Sequence, residues 1–369
     1  MRIALLGTRG VPASYSGFET CVEQLGSRLV ERGHEVFVYC RRHHVKYVGE
    51  QYKGMSLIFP PTVQNKYLDT IVHTTLSSIH ALTGRYDIAL YFIAGNSPTT
   101  WIPRMVGTST VLNVDGLDWK RAKWPGFAIR YLKLAEYLAT RLPTAYITDS
   151  RAVQASYEAR FGSTPLYIPY GSEVEKKPPA EVLERYKLVQ GEYVLFVGRL
   201  VPENNVDHLI EAYRHLDTQK KCVIVGDSTY AEDYKERLHQ LAEGDQRIVF
   251  TGYQFGDAYH ELGSNALIFV ETSAVGGTHP AVVEAMAFGN CVIVNGTPEN
   301  VETIGDAGLS YDPEQGAKDL ASVLGELLTA PDKIAALGER AEHRAAEKYS
   351  WEAVTDQYEE LFHRLREGS

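Results

Sequence analysis

Short apolar runs alternate with amphipathic stretches along the chain. Residues 2–7 and 35–40 are mostly apolar, and residues 17–32 between them carry apolar side chains at helical spacing. The positions of this apolar stripe are Phe18, Cys21, Val22, Leu25, Leu29 and Val30. A strand, a helix and a second strand in this order predict a parallel sheet covered by helices.

The alternation continues, is interrupted once and then resumes. In the first half we predict further strands at residues 56–59, 87–92, 109–114, 145–148 and 166–168, and helices at residues 66–82, 126–141 and 151–160. Residues 173–190 contain two prolines, a cluster of charges and no strand pattern, which predicts a linker. Beyond it we predict strands at residues 193–197, 222–225, 247–250, 266–270 and 291–294, and helices at residues 205–216, 230–242, 256–262, 279–289, 315–328 and 332–348.

This pattern predicts an α/β protein with two Rossmann-like domains, whose parallel sheets face each other across a cleft. The first domain covers residues 1–172 and the second covers residues 191–348. Residues 349–369 contain a last helix, which we expect to pack back toward the first domain.

The stretch from residue 266 to residue 294 is the most informative part of the chain. A predicted strand leads into a loop of small residues that contains Gly276 and Gly277, and Pro280 then stands at the first position of a helix. Free backbone N–H groups at such a helix start bind anions, above all phosphates. Glu284 lies one turn inside the helix, within reach of a ligand's hydroxyl groups. An ordinary strand–loop–helix crossover with a solvated glutamate is the alternative.

Other candidate residues follow predicted strands directly. Arg199 follows the first strand of the second domain, where its guanidinium can clamp phosphate oxygens, and Tyr253 follows another strand, where it can stack on a base. In the first domain, Gly17 and Asp115 are expected to line the cleft. An Asp-Gly turn is the alternative for Asp115.

Composition narrows the class of protein. The chain has 369 residues, 44% of them hydrophobic and 23% charged, which is typical of a soluble protein of about two domains. A net charge of −10 argues against a broad nucleic-acid surface. No GxGxxG or GxxxxGK[ST] motif occurs. The start, MRIALLG, leads directly into a strand without a signal peptide's features, and the four scattered cysteines favour buried thiols, so we expect a cytosolic protein.

One segment is locally basic in this acidic chain. Residues 120–141 mix six lysines and arginines with aromatic and aliphatic side chains. This composition is typical of a contact with an anionic membrane surface, which would place the protein at the inner face of the membrane. An amphipathic helix with a solvated basic face is the alternative.

Several longer motifs resemble one family of enzymes. They are FVGRLVPENN at 196–205, VIVGD at 223–227, FTGY at 250–253, GGTHPAVVEAMAFGNCVIV at 276–294, TPEN at 297–300, GDAGLSYDP at 305–313 and SWEAVTDQYEELF at 350–362. Together they resemble the retaining glycosyltransferases of family 4, which have the GT-B fold. In the first half, GTRGVPASYSGFET at 7–20 and VDGLDWKRAKW at 114–124 are similar to bacterial rhamnosyltransferases that use dTDP-rhamnose in surface polysaccharide synthesis.

The resemblance implies roles for individual residues. Arg199 would bind the donor diphosphate, Glu284 the nucleotide's ribose, and Gly277 and Thr278 the phosphate and sugar. Gly17 would let the donor phosphate approach the first domain. Two positions depart from the family pattern: Gly276 stands where the first glutamate of a Glu-x7-Glu motif is expected, and Asn204 stands where a lysine is common. An asparagine pair, here Asn204 and Asn205, is similar to the rhamnosyltransferase branch.

The resemblance therefore implies transfer of a hexose, with rhamnose favoured, from a nucleoside diphosphate to a hydroxyl of a saccharide or lipid-linked saccharide. It implies no metal and no cofactor, because Arg199, helix N-termini and backbone N–H groups can stabilise the departing diphosphate. Asp115 is a catalytic candidate that would orient the acceptor or stabilise charge at the reacting carbon. Glu19 is a second candidate, and a first-turn carboxylate favoured by the helix dipole is its alternative. A sugar-nucleotide epimerase and a non-catalytic nucleotide-sugar-binding protein of a polysaccharide assembly complex are the alternative functions.

Overall fold

The computed structural model describes residues 1–13, 17–65, 68–114, 116, 119, 126–275 and 278–367. The chain forms two compact units. The first contains Met1–Gly171 and Trp351–Ser369, and the second contains Ser172–Ser350. The predicted α/β class with two parallel sheets is confirmed.

The first unit is built on one large sheet. Its strands are β1 (Arg2–Leu6), β2 (Glu35–Tyr39), β3 (Gln51–Tyr52), β4 (Met55–Ile58), β5 (Ile88–Phe92), β6 (Ser109–Asn113), β7 (Ala145–Thr148) and β8 (Leu166–Tyr167). Their order is β3-β4-β2-β1-β5-β6-β7-β8, and all neighbours are parallel except β3 and β4. Its helices are α1 (Gly17–Glu31), α2 (Asp69–Ala81), α3 (Gly126–Ala139) and α4 (Arg151–Phe161), joined by the chain's last helix (Trp351–Glu367) and by short 3-10 helices at Ala94–Thr99 and Pro103–Val106.

Two apolar layers enclose this sheet. On one face, α1 and the last helix cover it with residues such as Leu25, Leu29, Tyr358 and Phe362. On the other face a second cluster includes Ala81, Ala139 and Tyr157. The carboxyl ends of β1, β2 and β5 are therefore held at one edge of the sheet by packing on both sides.

The second unit repeats this plan with six strands. They are β9 (Tyr193–Val197), β10 (Lys221–Val225), β11 (Ile248–Gly252), β12 (Ile268–Glu271), β13 (Cys291–Asn295) and β14 (Gly308–Tyr311). All are parallel, in the order β11-β10-β9-β12-β13-β14. The helices are α5 (Glu181–Tyr186), α6 (Val206–Arg214), α7 (Glu232–Leu241), α8 (Asp257–Asn265), α9 (Pro280–Phe288), α10 (Pro298–Ile304), α11 (Ala317–Leu328) and α12 (Pro331–Lys348), so the last helix of the chain is α13.

The apolar strands of this sheet are buried on both faces. One face packs with α6 and α11 through residues such as Leu209, Leu320 and Leu324. The other packs with α9 and α12 through residues such as Val282, Met286 and Ala341. This double burial explains why these strands show continuous apolar runs rather than alternation.

Several elements of the structure were not predicted, among them β3 and the short 3-10 helices. The strand β14 and the helix α10 follow β13, and α5 lies inside residues 173–190, the segment predicted as a linker. In α10 a start signal was present in the sequence, because Thr297 caps the helix by accepting a hydrogen bond from the Asn300 backbone nitrogen and Pro298 fills the first position.

The four cysteines are buried and free, as predicted. Among the helices of the described residues, none combines the length and the apolarity required to cross a membrane.

Candidate functional site

The site in the second unit begins where β9 ends. Gly198 and the half-buried Arg199 follow this strand, and the Arg199 Nη1 atom donates a hydrogen bond to the Tyr230 hydroxyl oxygen over 3.3 Å. Gly226, after the neighbouring β10, has a φ of +137°, and a Cβ at this position would overlap the Gly198 carbonyl oxygen. Glycine at 226 thus lets the two strand ends approach, which fixes the backbone that carries Arg199.

The predicted asparagine pair holds this backbone. The buried Asn204 side chain donates to the Arg199 carbonyl oxygen over 2.8 Å, and the Asn204 carbonyl accepts from the Thr272 hydroxyl over 2.5 Å. The Asn205 side chain donates to the Thr272 carbonyl over 3.3 Å. The pair therefore ties the loop after β9 to the loop after β12. A contact between Asn204 and a donor stays a prediction.

The loop after β12 rests on buried polar groups that sequence reasoning missed. The Glu271 carboxylate accepts from the Ser273 backbone nitrogen over 2.9 Å and from its hydroxyl over 2.5 Å. The Asn300 side chain donates to the Ser273 and Asn295 carbonyls, each over 3.1 Å. The Asn295 side chain donates to the Thr272 carbonyl over 3.0 Å. These bonds define the path of the chain toward α9.

This network leads to the start of α9. His279 precedes the helix in extended conformation and Pro280 stands at its first position, as the sequence predicted. Thr278 is buried next to this helix start. Gly276 and Gly277 lie outside the described residues, so their predicted contacts stay predictions. The N–H groups of Val282 and Val283 bond the His279 carbonyl oxygen over 3.0 and 3.3 Å, so the helix dipole is what favours an anion at this end.

Glu284 lies one turn inside α9 and is partly buried. Its Oε2 atom accepts a hydrogen bond from the Tyr259 hydroxyl over 2.6 Å. Burial raises the pKa of Glu284 to about 7, and the bond from Tyr259 only partly opposes this shift. A carboxyl group with this pKa can donate or accept hydrogen bonds near neutral pH, which suits recognition of ligand hydroxyls.

Two further groups border the loops of the second unit. The Tyr253 ring is 42% exposed and stacks on Phe255 with centroids 5.8 Å apart, while its hydroxyl donates to the Asp227 carbonyl over 3.0 Å. Stacking of Tyr253 on a base stays a prediction. The Glu203 carbonyl accepts from the Ala274 backbone nitrogen, and the Glu203 Oε1 atom is buried with no hydrogen-bond partner among the described residues. Glu203 is therefore a candidate ligand contact that the sequence did not indicate.

The candidates of the first unit lie around the start of α1. The Glu19 carboxylate is buried and accepts from the Arg9 backbone nitrogen over 3.0 Å, so it fixes the loop after β1. The Gly17 carbonyl accepts from the Tyr170 hydroxyl over 2.9 Å. Asp115 lies outside the described residues. The catalytic roles of Glu19 and Asp115 stay predictions.

Comparisons with known proteins bear on both units. Residues 184–344 match the family model described as "Glycosyl transferases group 1", and residues 92–173 match one described as "Domain of unknown function (DUF1972)". The first match contains Arg199, Asn204, Tyr253, Thr278 and Glu284. The second match ends where the first unit passes into the second.

Curated relatives are similar over half or all of the chain. The O-antigen chain mannosyltransferase B of Escherichia coli is 27% identical over 193 residues, which are 50% of this chain and 50% of that protein. A GDP-mannose-dependent alpha-(1-6)-phosphatidylinositol monomannoside mannosyltransferase of Mycolicibacterium smegmatis is 24% identical over 396 residues, 99% of each chain. Among solved structures, sucrose-phosphate synthase from Thermosynechococcus elongatus shares the fold with a TM-score of 0.84 over 100% of both chains, at 21% identity.

Proposed function

We propose, from the group 1 glycosyltransferase domain at residues 184–344, that this chain is a retaining glycosyltransferase of the GT-B type in polysaccharide or glycolipid synthesis. It would move a hexose from a nucleoside diphosphate to a hydroxyl of a saccharide or lipid-linked saccharide. The observation that supports this most is the connected polar network that ties Arg199, after β9, to the loop preceding α9. A guanidinium and a helix start provide the positive charge that a departing diphosphate requires.

The proposed roles follow from these contacts. Arg199 would neutralise the diphosphate, and the positive end of the α9 dipole would stabilise its oxygens. Glu284 would bind the ribose hydroxyls, held in place by Tyr259. Asn204 would act as a positioning residue, because its side chain holds the Arg199 backbone. A developing negative charge would be met by groups already fixed in the fold, without reorganisation at the moment of transfer.

Two hypotheses differ in the identity of the donor sugar, which is rhamnose in one and mannose in the other. The first-half motifs resemble rhamnosyltransferases and favour dTDP-rhamnose, whereas both relatives described above are mannosyltransferases, one of them GDP-mannose-dependent. The proposed reaction is therefore hexose transfer, with rhamnose and mannose as the two candidate donor sugars. Gly276 replaces the first glutamate of the donor motif, and this position would contact the donor sugar.

A thermal-shift panel tests the donor site. It contains dTDP, UDP, GDP, dTDP-rhamnose, GDP-mannose, UDP-glucose and UDP-GlcNAc. A ligand at about 100 times its dissociation constant stabilises the folded protein by about 2.7 kcal/mol, which raises Tm measurably. Stabilisation by one nucleotide family supports the proposal and identifies the donor base. If no member of the panel raises Tm, the proposed donor site is wrong.

We further propose that α3 contacts an anionic membrane surface. Its solvent-exposed face presents Phe127 and Leu134, 70% and 54% exposed, together with the exposed Arg130 and Lys133. Glu136 is the only acidic residue of this helix, and it is buried and paired with Arg160 over 2.6 Å. An exposed face that is apolar and basic, in a chain of net charge −10, is complementary to anionic lipid.

The double variant F127S/L134S tests this surface. We expect weaker co-sedimentation with phosphatidylglycerol-containing vesicles, because apolar area no longer enters the headgroup region. V189S is the matched control, since Val189 is an exposed apolar residue of the second unit. Equal binding of the double variant and the control would contradict the membrane proposal and leave the donor site untouched.

A further inference from the structure

A cluster of basic side chains lies at the carboxyl edge of the sheet in the first unit. Arg41 comes two residues after β2, and His43 and His44 follow it. Asp69 opens α2, and His73 lies one turn further along this helix. We call Arg41, His43, His44, Asp69 and His73 the basic cluster. The carboxyl ends of parallel strands are the usual ligand edge of an α/β unit.

One carboxylate organises three basic groups in this cluster. The Asp69 Oδ2 atom lies 3.1 Å from Arg41 Nη1, 3.2 Å from His43 Nε2 and 3.3 Å from His44 Nε2. Its other oxygen accepts from the Thr62 hydroxyl over 2.9 Å. A single negative charge thus gathers one guanidinium and two imidazoles. The imidazoles are reachable, because both His side chains remain partly exposed.

Two members of the cluster have unpaired buried atoms. Arg41 is 4% exposed, and its Nε atom has no hydrogen-bond partner among the described residues. His73 is fully buried, its Nε2 atom contacts the Cys40 carbonyl oxygen at 3.2 Å, and its Nδ1 atom has no partner within the same part of the chain. Buried polar atoms of a folded protein are normally paired, so each exception indicates a ligand, an ion or water.

Charges of both signs lie around the cluster: Arg9 and Arg41 are positive, and Asp69 and Glu19 are negative. The pKa of His44 is lowered to about 4 by burial first, and then by the nearby Arg9 and His43 charges. Burial and the Arg41 charge lower the pKa of His73 to about 4 as well. The pKa of Arg41 is also lowered, mainly by burial, although Asp69 opposes the shift. The arginine charges that disfavour protonation of these imidazoles would be partly neutralised by an anion bound beside them.

A metal ion is the competing occupant. One ligand atom each from His43, His44 and Asp69 lies within 4.8 Å of the others, which is a spacing that a divalent cation can use. The same Asp69 oxygen, however, already receives Arg41 over 3.1 Å. A divalent ion would have to share this oxygen with a guanidinium, and Coulomb repulsion between the two cations opposes this.

We propose that the basic cluster binds a phosphoryl group, and that the acceptor of the proposed transfer reaction therefore carries one. Arg41 would donate a charge-assisted hydrogen bond to a phosphoryl oxygen. The bound anion would favour the protonated form of His43 and His44, whose second ring N–H groups could then also donate, while Asp69 keeps the three side chains in place. The phosphoryl group would belong either to a lipid-linked saccharide or to a free sugar phosphate. This assignment of the acceptor rests on the proposed glycosyltransferase function, whereas binding of the anion itself does not.

Histidine NMR of the full chain tests the cluster directly. The protein is labelled with ¹⁵N-histidine, and inorganic pyrophosphate is titrated into the R199A variant, in which the donor site is weakened. We expect saturable shifts of the imidazole signals assigned to His43 and His44 by the H43N and H44N variants. The double variant H43N/H44N should bind pyrophosphate at least about ten-fold more weakly. H363N is the control, because His363 is an exposed histidine of α13.

The outcomes separate this proposal from its rivals. If pyrophosphate does not shift the His43 and His44 signals, the phosphoryl proposal is wrong. It is also wrong if both signals respond to Zn²⁺ but not to pyrophosphate, because the site would then bind a metal ion. Two further titrations distinguish a lipid-linked phosphoryl group from a free sugar phosphate. One uses phosphatidylcholine vesicles with and without a polyprenyl diphosphate, and the other uses mannose 6-phosphate. A shift of the two histidine signals with either ligand supports the proposal. If nucleotides still raise Tm while pyrophosphate leaves both signals unchanged, the phosphoryl site fails and the glycosyltransferase proposal stands.

Discussion

At the scale of single residues, burial sets the chemistry of Glu284. Its carboxyl group lies within α9 with the Tyr259 hydroxyl as its hydrogen-bond donor. The folded protein raises its pKa from an ordinary 4.5 to about 7, so the fold favours the protonated form. The stability gained in this way is fully present below about pH 4.5 and is lost as pH rises through about 7.

The variant E284Q is therefore expected to be more stable than the wild type at alkaline pH. The difference should reach up to about 3 kcal/mol above pH 8 and shrink toward zero near pH 5, because the shift of the pKa corresponds to this free energy. Urea unfolding at several pH values measures it. A stability difference that stays constant with pH would show that Glu284 is not buried as described.

Arg199 supports the strongest prediction for activity. R199A should lower turnover by about 100-fold or more, as removal of comparable charge-stabilising donors does. R237A is the matched control, since Arg237 is an exposed arginine of the same unit that pairs with Asp207. Steady-state transfer rates with the donor identified by the panel provide the measurement. Near-normal turnover of R199A would remove this residue from the mechanism.

The place of a single residue in the fold could be predicted where it follows from the residue's position in a strand or a helix. The places of Arg199 and Glu284 were predicted correctly, because one follows a strand and the other lies one turn into a helix, and their roles stay predictions. The contacts of Glu271, Asn295 and Asn300 were missed, because they join segments far apart in the sequence. No local pattern marks a buried asparagine that will hold a distant carbonyl.

At the scale of elements, α13 completes the first unit. Tyr358 and Phe362 are buried in the same apolar cluster as Leu25 and Leu29 of α1. Arg32 at the end of α1 pairs with Glu352, Asp356 and Glu359 of α13 at 2.9, 2.7 and 2.9 Å. Most of this ion-pair network faces solvent, so we expect the apolar contacts to dominate the free energy of packing.

F362A should destabilise the protein by about 3–5 kcal/mol, the usual cost of truncating a buried phenylalanine. The neighbouring exposed residue provides the control, H363N, with an expected change within about 0.5 kcal/mol. Urea unfolding with matched m-values measures both variants. Equal stability of the two variants would mean that α13 does not pack as the structure shows.

The elements themselves followed the hydrophobic pattern closely. The strands β7 and β9 have the predicted bounds, because continuous apolar runs end at polar residues or glycine. The helix α5 was missed, since its six residues lie in a stretch whose prolines and charges indicated a linker. Only Leu183 of this helix is buried, through contacts with the rest of the second unit that a local pattern does not contain.

At the scale of the whole molecule, the proposed binding sites are distributed over two α/β units. The second unit contains the network around Arg199 and α9, which we propose to bind the donor, and the first contains the basic cluster and the exposed face of α3. The sequence indicated the α/β class and the two sheets, because apolar runs and amphipathic stretches alternate through both halves. It did not indicate the basic cluster, whose members come from the segment after β2 and from α2 and meet only in the folded unit.

The central claim, that Arg199 binds the diphosphate of a nucleotide donor, is tested most directly by calorimetric titration. The best nucleoside diphosphate of the panel and the matching nucleoside monophosphate are titrated into the wild type, R199A and R237A. We predict that the wild type and R237A bind the diphosphate at least about ten-fold more tightly than the monophosphate, and that R199A loses this preference. An unchanged preference in R199A, or equal affinities in the wild type, would contradict the claim.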